Sequence, residues 1–582
     1  MSRNKMSKAL LYLALTVALI LPTACSSGNT DEASPTVSNK QNEKATESSK
    51  PTEGANTAES ALPADPMGKY DPPIEISTLS SLDSDVKFPE GESPENNIWT
   101  KTYEEQLGIK IKIKWTGPSE QAAQKVNLMI VSEELPNILS VNDNQFQQLY
   151  DAGMLEDLTD AYEKYATPFL KEQLTYDGGR AMKSATRDGK LYSIPTFLDP
   201  LDDTAMLWVR TDWLKKLNLP EPKTMADFEK IAEAFTTQDP DGDKKNNTPG
   251  FTVTSDITYH LSPFFNGYHA YPAFQQQMGY PVKWLKDSSG QLVTGLFQPE
   301  MTTALQKLQD FYKKGWIDKQ YAAQDYDTLT KAIANGKVGM LFGVWWYPSW
   351  PLQESVNKDP NADWKAYPIP SVDGTPAKTS ATGLWLRNHN VVIKGYKNPE
   401  ALIKLANLTL EKSFGKTAEP EVYLNKADPT KGNAMWKYSA VWVELGHKNL
   451  LKFQKVKNAL ETKNSDGLNV DEMNTYNNVL KYESGDATHW NYEKLYGIDG
   501  SWNVTIDNEK NDLFQYDEFT GSPTKTMVEK GPIIMKKLNE TVNRIIMGAS
   551  INEWDKFQDY WKSNGGDEIT KEVNEWYKLQ NK

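Results

Sequence analysis

Ile109, Ile111, Ile113 and Trp115 alternate with Lys110, Lys112 and Lys114, the period-two pattern of a strand with one buried face. Upstream, Trp99, Tyr103 and Leu107 recur at helical spacing and stop at Gly108. Before them, residues 73–79 read as a first strand whose proline opens it, where a missing N–H does least harm. Downstream, Val126, Met129 and Ile130 give a helical stripe that stops at Leu135-Pro136, and residues 137–141 return to strand. Strand, helix, strand, helix, strand in about 70 residues predicts an α/β unit, with a mainly parallel sheet under covering helices. The rhythm resumes at residues 206–209. Between the two blocks, residues 187–195 read as a turn leading into a strand that crosses from one unit to the next. No internal repeat is evident.

The N-terminus follows a different pattern. Arg3, Lys5 and Lys8 precede an apolar run of twelve residues, 10–21. A membrane-spanning helix needs about 20 apolar residues, so residues 1–24 read as a signal peptide. The chain's one cysteine follows in Leu21-Pro22-Thr23-Ala24-Cys25. This resembles a bacterial lipobox, with Pro22 where lipoboxes usually carry leucine. In that reading Cys25 is diacylated, and its acyl chains hold the protein at the membrane surface by roughly 0.8 kcal/mol per buried CH₂. The alternative is an ordinary secretory signal cut near Ala24. Residues 26–66 contain no aromatic side chain and only scattered Val and Leu. Such a segment buries too little apolar area to offset its ordering entropy, so 25–66 read as a lipidated cysteine and a disordered stalk. A stalk of this kind suits a tether through the wall of a Gram-positive cell, on the extracellular face of its membrane.

Composition narrows the function classes. Hydrophobic residues make up 38% of the chain and aromatics 11%, enough to bury a large core and exclude global disorder. A net charge of −14, with no basic cluster beyond the N-terminus, argues against nucleic acid as a partner. One cysteine excludes an intramolecular disulfide and a Cys-based zinc site. None of the histidines, His260, His269, His389, His447 and His489, pairs at HExxH spacing. GxSxG and GxGxxG are absent, and Gly415-Lys416-Thr417 lacks the upstream glycine of a Walker A loop, with Leu410 in its place. No catalytic residue is assigned and a non-enzyme is expected. A glycoside hydrolase stays open, because its two carboxylates need no motif. A wall-bound adhesin would bring repeats and a β-rich chain, and neither is seen.

Two segments carry candidate chemistry. Thr224 and Asp227 form a capping-box-like helix start, and Phe228, Ile231 and Phe235 supply the buried stripe that follows. Directly after it, Asp239, Asp241, Asp243 and Asn247 place oxygens at positions 1, 3, 5 and 9, with the Lys245 carbonyl available at 7. That spacing matches an EF-hand-type calcium loop, and the ion's role would be structural. The pattern departs from it at position 6, Lys244 instead of glycine, and at position 12, Gly250 instead of a bidentate glutamate. A solvated Asp/Gly turn is the alternative. Second, Trp345, Trp346, Tyr347 and Trp350 crowd the end of an apolar strand. Aromatic faces stack on the C–H faces of sugars, although two of the four could equally cap the core beneath them.

Residues 99–235 run helix, strand and a helix ending in ELPNILSV, then LYDAGMLEDLTDAYEKY, RDGKLYSIP and MLWVRTDWLKKLNLPEPKTMADFEKIAEAF. This order resembles the family 1 extracellular solute-binding proteins of ABC importers. Residues 335–346 resemble that family's strand ending in an aromatic ligand loop, and 519–577 resemble its large lipoprotein subgroup, similar to alginate- and other oligosaccharide-binding proteins. The resemblance implies a two-lobed periplasmic-binding-protein-like (type II) fold with a hinge and a ligand cleft where strand ends converge. Lobe 1 would take 70–195 plus 380–450, and lobe 2 would take 196–379 plus 451–582. By the same resemblance Asn142 and Asp143 fall where the family places polar sugar contacts, and Trp385 and Arg387 lie near the returning hinge strand. Tyr268 and His269 belong to an aromatic-rich loop that would reach the cleft. In the alginate-binding subgroup positions 9 and 10 of the calcium loop are acidic; here they are Asn247 and Thr248. The expected protein is a monomeric, lipid-anchored receptor that binds an oligosaccharide and presents it to permease subunits. A non-sugar solute such as a peptide is the other ligand class left open.

Overall fold

In the computed structural model, strands β1 (Ile74–Leu82) and β2 (Ile109–Pro118) pair in parallel, Ile74 against Ile109. The structure describes residues 65–580 except 83–85, 87, 246, 274–279, 325 and 425–433; the expected signal peptide, Cys25 and the expected stalk as far as residue 64 lie outside the described residues. The chain meets the folded body by Pro66, whose carbonyl accepts a hydrogen bond from Asn407 Nδ2 at 3.1 Å. The helix Ile98–Thr102 runs on through a wider turn, Tyr103–Leu107, and stops where the alternation begins. Gly108 makes that reversal at φ 66°, and a Cβ there would lie 2.4 Å from the Tyr70 carbonyl oxygen, so only glycine fits.

Strand β3 (Ile138–Val141) leads into the helix Asp143–Asp151. A hairpin of β4 (Thr186–Arg187) and β5 (Lys190–Leu191) turns on Asp188 and Gly189 at φ 50° and 74°, the paired left-handed conformation that Asp-Gly adopts most readily. Strand β6 (Ile194–Leu198) follows and carries the chain out of the first unit.

Strand β7 (Ala205–Arg210) is buried along its whole length, which is why residues 205–209 are a continuous apolar run without alternation. Its odd positions, Ala205, Leu207 and Val209, face a core shared with Phe228, Leu305 and Ile534. Its even positions, Met206 and Trp208, face another shared with Phe453, Trp490 and Trp502. The short ribbon β8 (Trp284–Lys286) and β9 (Leu292–Thr294) is antiparallel. Strands β10 (Met340–Val344) and β11 (Trp364–Tyr367) flank β7, both antiparallel to it. Strand β12 (Thr379–Ala381) then approaches the seam, and β13 (Trp385–Val392) enters the first unit between β3 and β6, antiparallel to each. Strand β14 (Phe514–Tyr516) pairs in parallel with β12.

The mainly parallel sheet expected from the rhythm is therefore not what forms: among the described ladders only β1/β2 and β12/β14 are parallel. The reason is a strand the local pattern cannot announce. β13 returns from the second unit and takes the slot between β3 and β6, running against both.

One core gathers Ile76, Trp99, Leu170 and Phe197 with Val392, Leu402 and Val443, and a satellite adds Val141, Phe146 and Val391. The cores flanking β7 draw on residues 201–381 and 450–573. The chain thus passes between two lobes three times, near 198–201, 382–391 and 443–450.

Candidate functional site

One of the crossings, at 382–386, lines a pocket of about 130 Å³ together with residues from either side of it. Asp143, Ser184 and Leu386 come from one side, and Tyr280, Asp517 and residues 519–523 from the other, with Thr382 and Gly383 between them. Gly383 permits the close approach, since a Cβ there would lie 2.2 Å from the Asp517 carbonyl oxygen. The hydroxyls of Thr382 and Ser522 are buried in the lining and have no hydrogen-bond partner. Buried polar groups are nearly always paired, so these two hydroxyls are the unsatisfied donors of the lining.

Asp143 opens its helix behind an Asn142 cap, whose side chain accepts from Gln145 N at 3.0 Å. The Asp143 carboxylate accepts from His389 Nε2 at 3.0 Å, and His389 Nδ1 lies 2.7 Å from Ser193 Oγ. Burial holds the His389 pKa below its ordinary value, partly opposed by Asp143. Ser193 and His389 are both fully buried, so this Ser-His-Asp string offers no nucleophile to a substrate; it fixes the orientation of Asp143. On the other wall, Asp517 Oδ1 accepts from Trp284 N at 2.9 Å and Phe519 N at 3.2 Å. Behind it, buried Lys283 donates to the carbonyls of Ala381 and Gln515, stitching β12 to β14. Burial drives the Lys283 pKa down and the Asp517 pKa up.

Contacts also tie the crossings together. His447 Nδ1 pairs with Asp199 Oδ2 at 2.7 Å, and Asn449 Nδ2 donates to both carboxylate oxygens of Asp202, at 3.2 and 3.0 Å. Across the seam, the Arg180 guanidinium lies 5.1 Å from the centre of the Tyr516 ring.

Of the residues singled out from sequence, Asp143 lines this pocket, and Leu384 and Leu386 on either side of Trp385 line it too. The Trp385 backbone pairs with Leu198. Arg387 occupies the register shift of β13, is exposed, and sits 6.0 Å over Trp436. The aromatic segment divides. Trp345 packs 4.7 Å from Trp502 with its indole N–H on Asp202 O, and Tyr347 is buried with its hydroxyl 3.0 Å from His260 Nε2. Trp346 is half-buried against Tyr347, while Trp350 is 45% exposed. Tyr268 belongs to the second-lobe core, and His269 pairs with Asp373 at 3.0 Å. Thr382, Ser522, Asp517 and Lys283 were not foreseen. The one sequence signal among them is Lys283, a lysine inside the apolar run 280–285.

Asp239, Asp241 and Asp243 each bring a carboxylate oxygen within 4.8 Å of the others. Asp239, Gly242 and Lys244, at φ 47°, 75° and 62°, wrap the loop. Lys337 Nζ donates to Asp241 Oδ2 at 2.6 Å and Asp243 Oδ2 at 2.7 Å. The bond to Lys337, then that from Asn247, pulls the Asp243 pKa down to about 2. Asp239 Oδ1 and Thr248 Oγ1 are buried without a partner. An all-oxygen set with two orphaned atoms fits a hard cation such as calcium.

Comparison with known proteins agrees with this architecture. The family model for bacterial extracellular solute-binding proteins matches residues 99–411. The chain is 22% identical over 494 residues to the polygalacturonan/rhamnogalacturonan-binding protein YtcQ of Bacillus subtilis (strain 168), covering 84% of this chain and 89% of YtcQ. It is 27% identical over 336 residues to the fructooligosaccharide ABC transporter substrate-binding protein FusA of Streptococcus pneumoniae, covering 53% of this chain and 57% of FusA. A solved structure, the HMO binding ABC-transporter associated solute binding protein from Bifidobacterium longum infantis, superposes with a TM-score of 0.61 at 19% identity, over 88% of this chain and 99% of that one. The family model spans more than half of the chain, and this chain belongs to the bacterial extracellular solute-binding proteins.

Proposed function

We propose that the protein is the receptor of an ABC importer and binds an oligosaccharide between its lobes. The observation that carries this is the chemistry of the seam. The unpartnered hydroxyls of Thr382 and Ser522 and the carboxylates of Asp143 and Asp517 stand beside apolar Leu384 and Leu386. A sugar offers hydroxyls to the first set and C–H faces to the second. YtcQ and FusA are named for a polyuronide and a neutral sugar respectively, so carbohydrate is the class they share. A pocket this small takes only part of an oligosaccharide. The lobes must therefore open to admit the ligand, and ligand contacts to both lobes favour closing again. Trp346 and Trp350, whose rings are not fully absorbed by the core, are the stacking surfaces we assign to the rest of it.

Two further assignments accompany this one. Asp239, Asp241, Asp243, Asn247 and the Lys245 carbonyl would hold calcium, which would cross-link the loop without taking part in sugar binding. Cys25, acylated, would keep the receptor on the extracellular face of the membrane beside its permease; no helix among the described residues is long and apolar enough to cross a membrane. Calorimetric titration with neutral and uronic oligosaccharides, followed by chromatography of the recovered sugar, tests the main proposal. Binding with the sugar recovered intact is expected. No carbohydrate binding, or recovery of shortened products, would overturn it. For the anchor, Cys25→Ala is expected to release the protein into the medium.

A further inference from the structure

We propose that Lys337 is the resident cation of the acidic loop, balancing its carboxylates in the metal-free protein, and that a divalent ion binds only by displacing it. Lys337 does not belong to the loop: it sits in the turn ahead of β10, just past Gly336 at φ 67°. Its ammonium reaches back across 94 positions of sequence to Asp243 and 96 to Asp241, at 2.7 and 2.6 Å, and lies 3.5 Å from Asn247 Oδ1. The nearby Lys216 does a different job, donating to the backbone carbonyls of Pro240 at 2.9 Å and Asp239 at 3.4 Å. Lys337 is therefore the lysine that meets the loop's carboxylates.

The service it gives is incomplete. Asp239 Oδ2 accepts from Lys244 N at 3.1 Å, but Asp239 Oδ1 is buried with no partner, as is Thr248 Oγ1. One positive charge bonded to two of three clustered carboxylates lowers their repulsion without removing it. A divalent ion carries twice the charge and would draw on all three, including the orphaned oxygen. Lys337 holds Oδ2 of both Asp241 and Asp243, so an ion drawing on those oxygens has to expel the ammonium. Two consequences follow. Lys337 lowers the repulsion of the loop when no metal is bound, and metal affinity is held down by the work of expelling the ammonium.

The displacement step rests on the calcium assignment above, and the test separates the two. Full-length wild type, Lys337→Met and Lys337→Arg are melted in EDTA and titrated calorimetrically with CaCl₂. Lys337→Met is expected to melt lower than wild type in EDTA, to bind calcium at least about tenfold more tightly, and to close the melting gap once calcium is present. Lys337→Arg keeps the positive charge and is expected to hold the wild-type melt in EDTA, with calcium binding no tighter than wild type. Calcium binding by wild type and Lys337→Met with equal affinity, or weaker binding by the variant, overturns the displacement while leaving the calcium site standing. An unchanged Lys337→Met melt in EDTA overturns the resident-cation role. Absence of calcium binding in all three proteins overturns site and displacement together.

Discussion

Asp202 sits on the first crossing, and its environment works against its charge. Burial first, then the neighbouring charge of Asp199, pushes its pKa from an ordinary 3.8 up to about 7, although Asn449 donates to it. The folded protein therefore holds a proton that the unfolded chain releases. The stabilisation is fully present below 3.8 and is lost as pH rises through about 7. The stability of wild type relative to Asp202→Asn is accordingly expected to fall across that window and to level off above it. Urea melts of the two proteins at steps of pH measure this, and a difference that stays constant would refute it. Thr382 poses the opposite trade. An unpartnered buried hydroxyl costs about 1–3 kcal/mol, so Thr382→Val is expected to raise the melting temperature without ligand and to weaken sugar binding severalfold. If the variant melts lower and binds normally, the hydroxyl serves the fold and not the ligand.

At the scale of elements, β7 shows what a sequence can announce. Its apolar run was legible as a return of the α/β rhythm, and the strand it forms is buried on both faces, with Trp208 fully enclosed and its indole N–H on the Val344 carbonyl at 3.2 Å. Trp208→Ala is expected to destabilise by about 3–5 kcal/mol. Trp350→Ala, at an exposed ring, is expected to shift stability by no more than about 0.5 kcal/mol while lowering sugar affinity; thermal melts and titrations of both variants check the contrast. The helix start at Thr224, the stop at Gly108 and the Asp-Gly turn were legible for the same reason, since each is decided by residues within one turn of one another. The slot β13 takes between β3 and β6 and the loop at 517–523 were not legible in the local pattern, because their partners lie on segments far away along the chain; only the resemblance implied that 380–450 returns to the first lobe. The aromatic cluster was half legible. Four large rings in six residues signal a special place, but which rings enter the core depends on Trp502 and His260, and neither is near in sequence.

The whole molecule works only if the energy of closing the lobes is shared between protein and ligand. Arg180 over Tyr516 is a contact from one lobe to the other that uses no residue lining the pocket. In the proposed receptor this contact would bias the ligand-free protein toward closure, and a ligand that needs the closed form binds more tightly when that form is already populated. A cation–π contact at a partly exposed site is worth about 0.5–1 kcal/mol, or roughly two- to fivefold in an equilibrium constant. Arg180→Ala is therefore expected to weaken oligosaccharide binding by that factor, to enlarge the ligand-free radius of gyration in small-angle scattering, and to leave the saturated radius at the wild-type value. The three readings must move together. Weaker binding with an unchanged ligand-free radius would make Arg180 a direct ligand contact, and an enlarged radius that persists at saturation would mean that the seam is held by Arg180 instead of by the sugar.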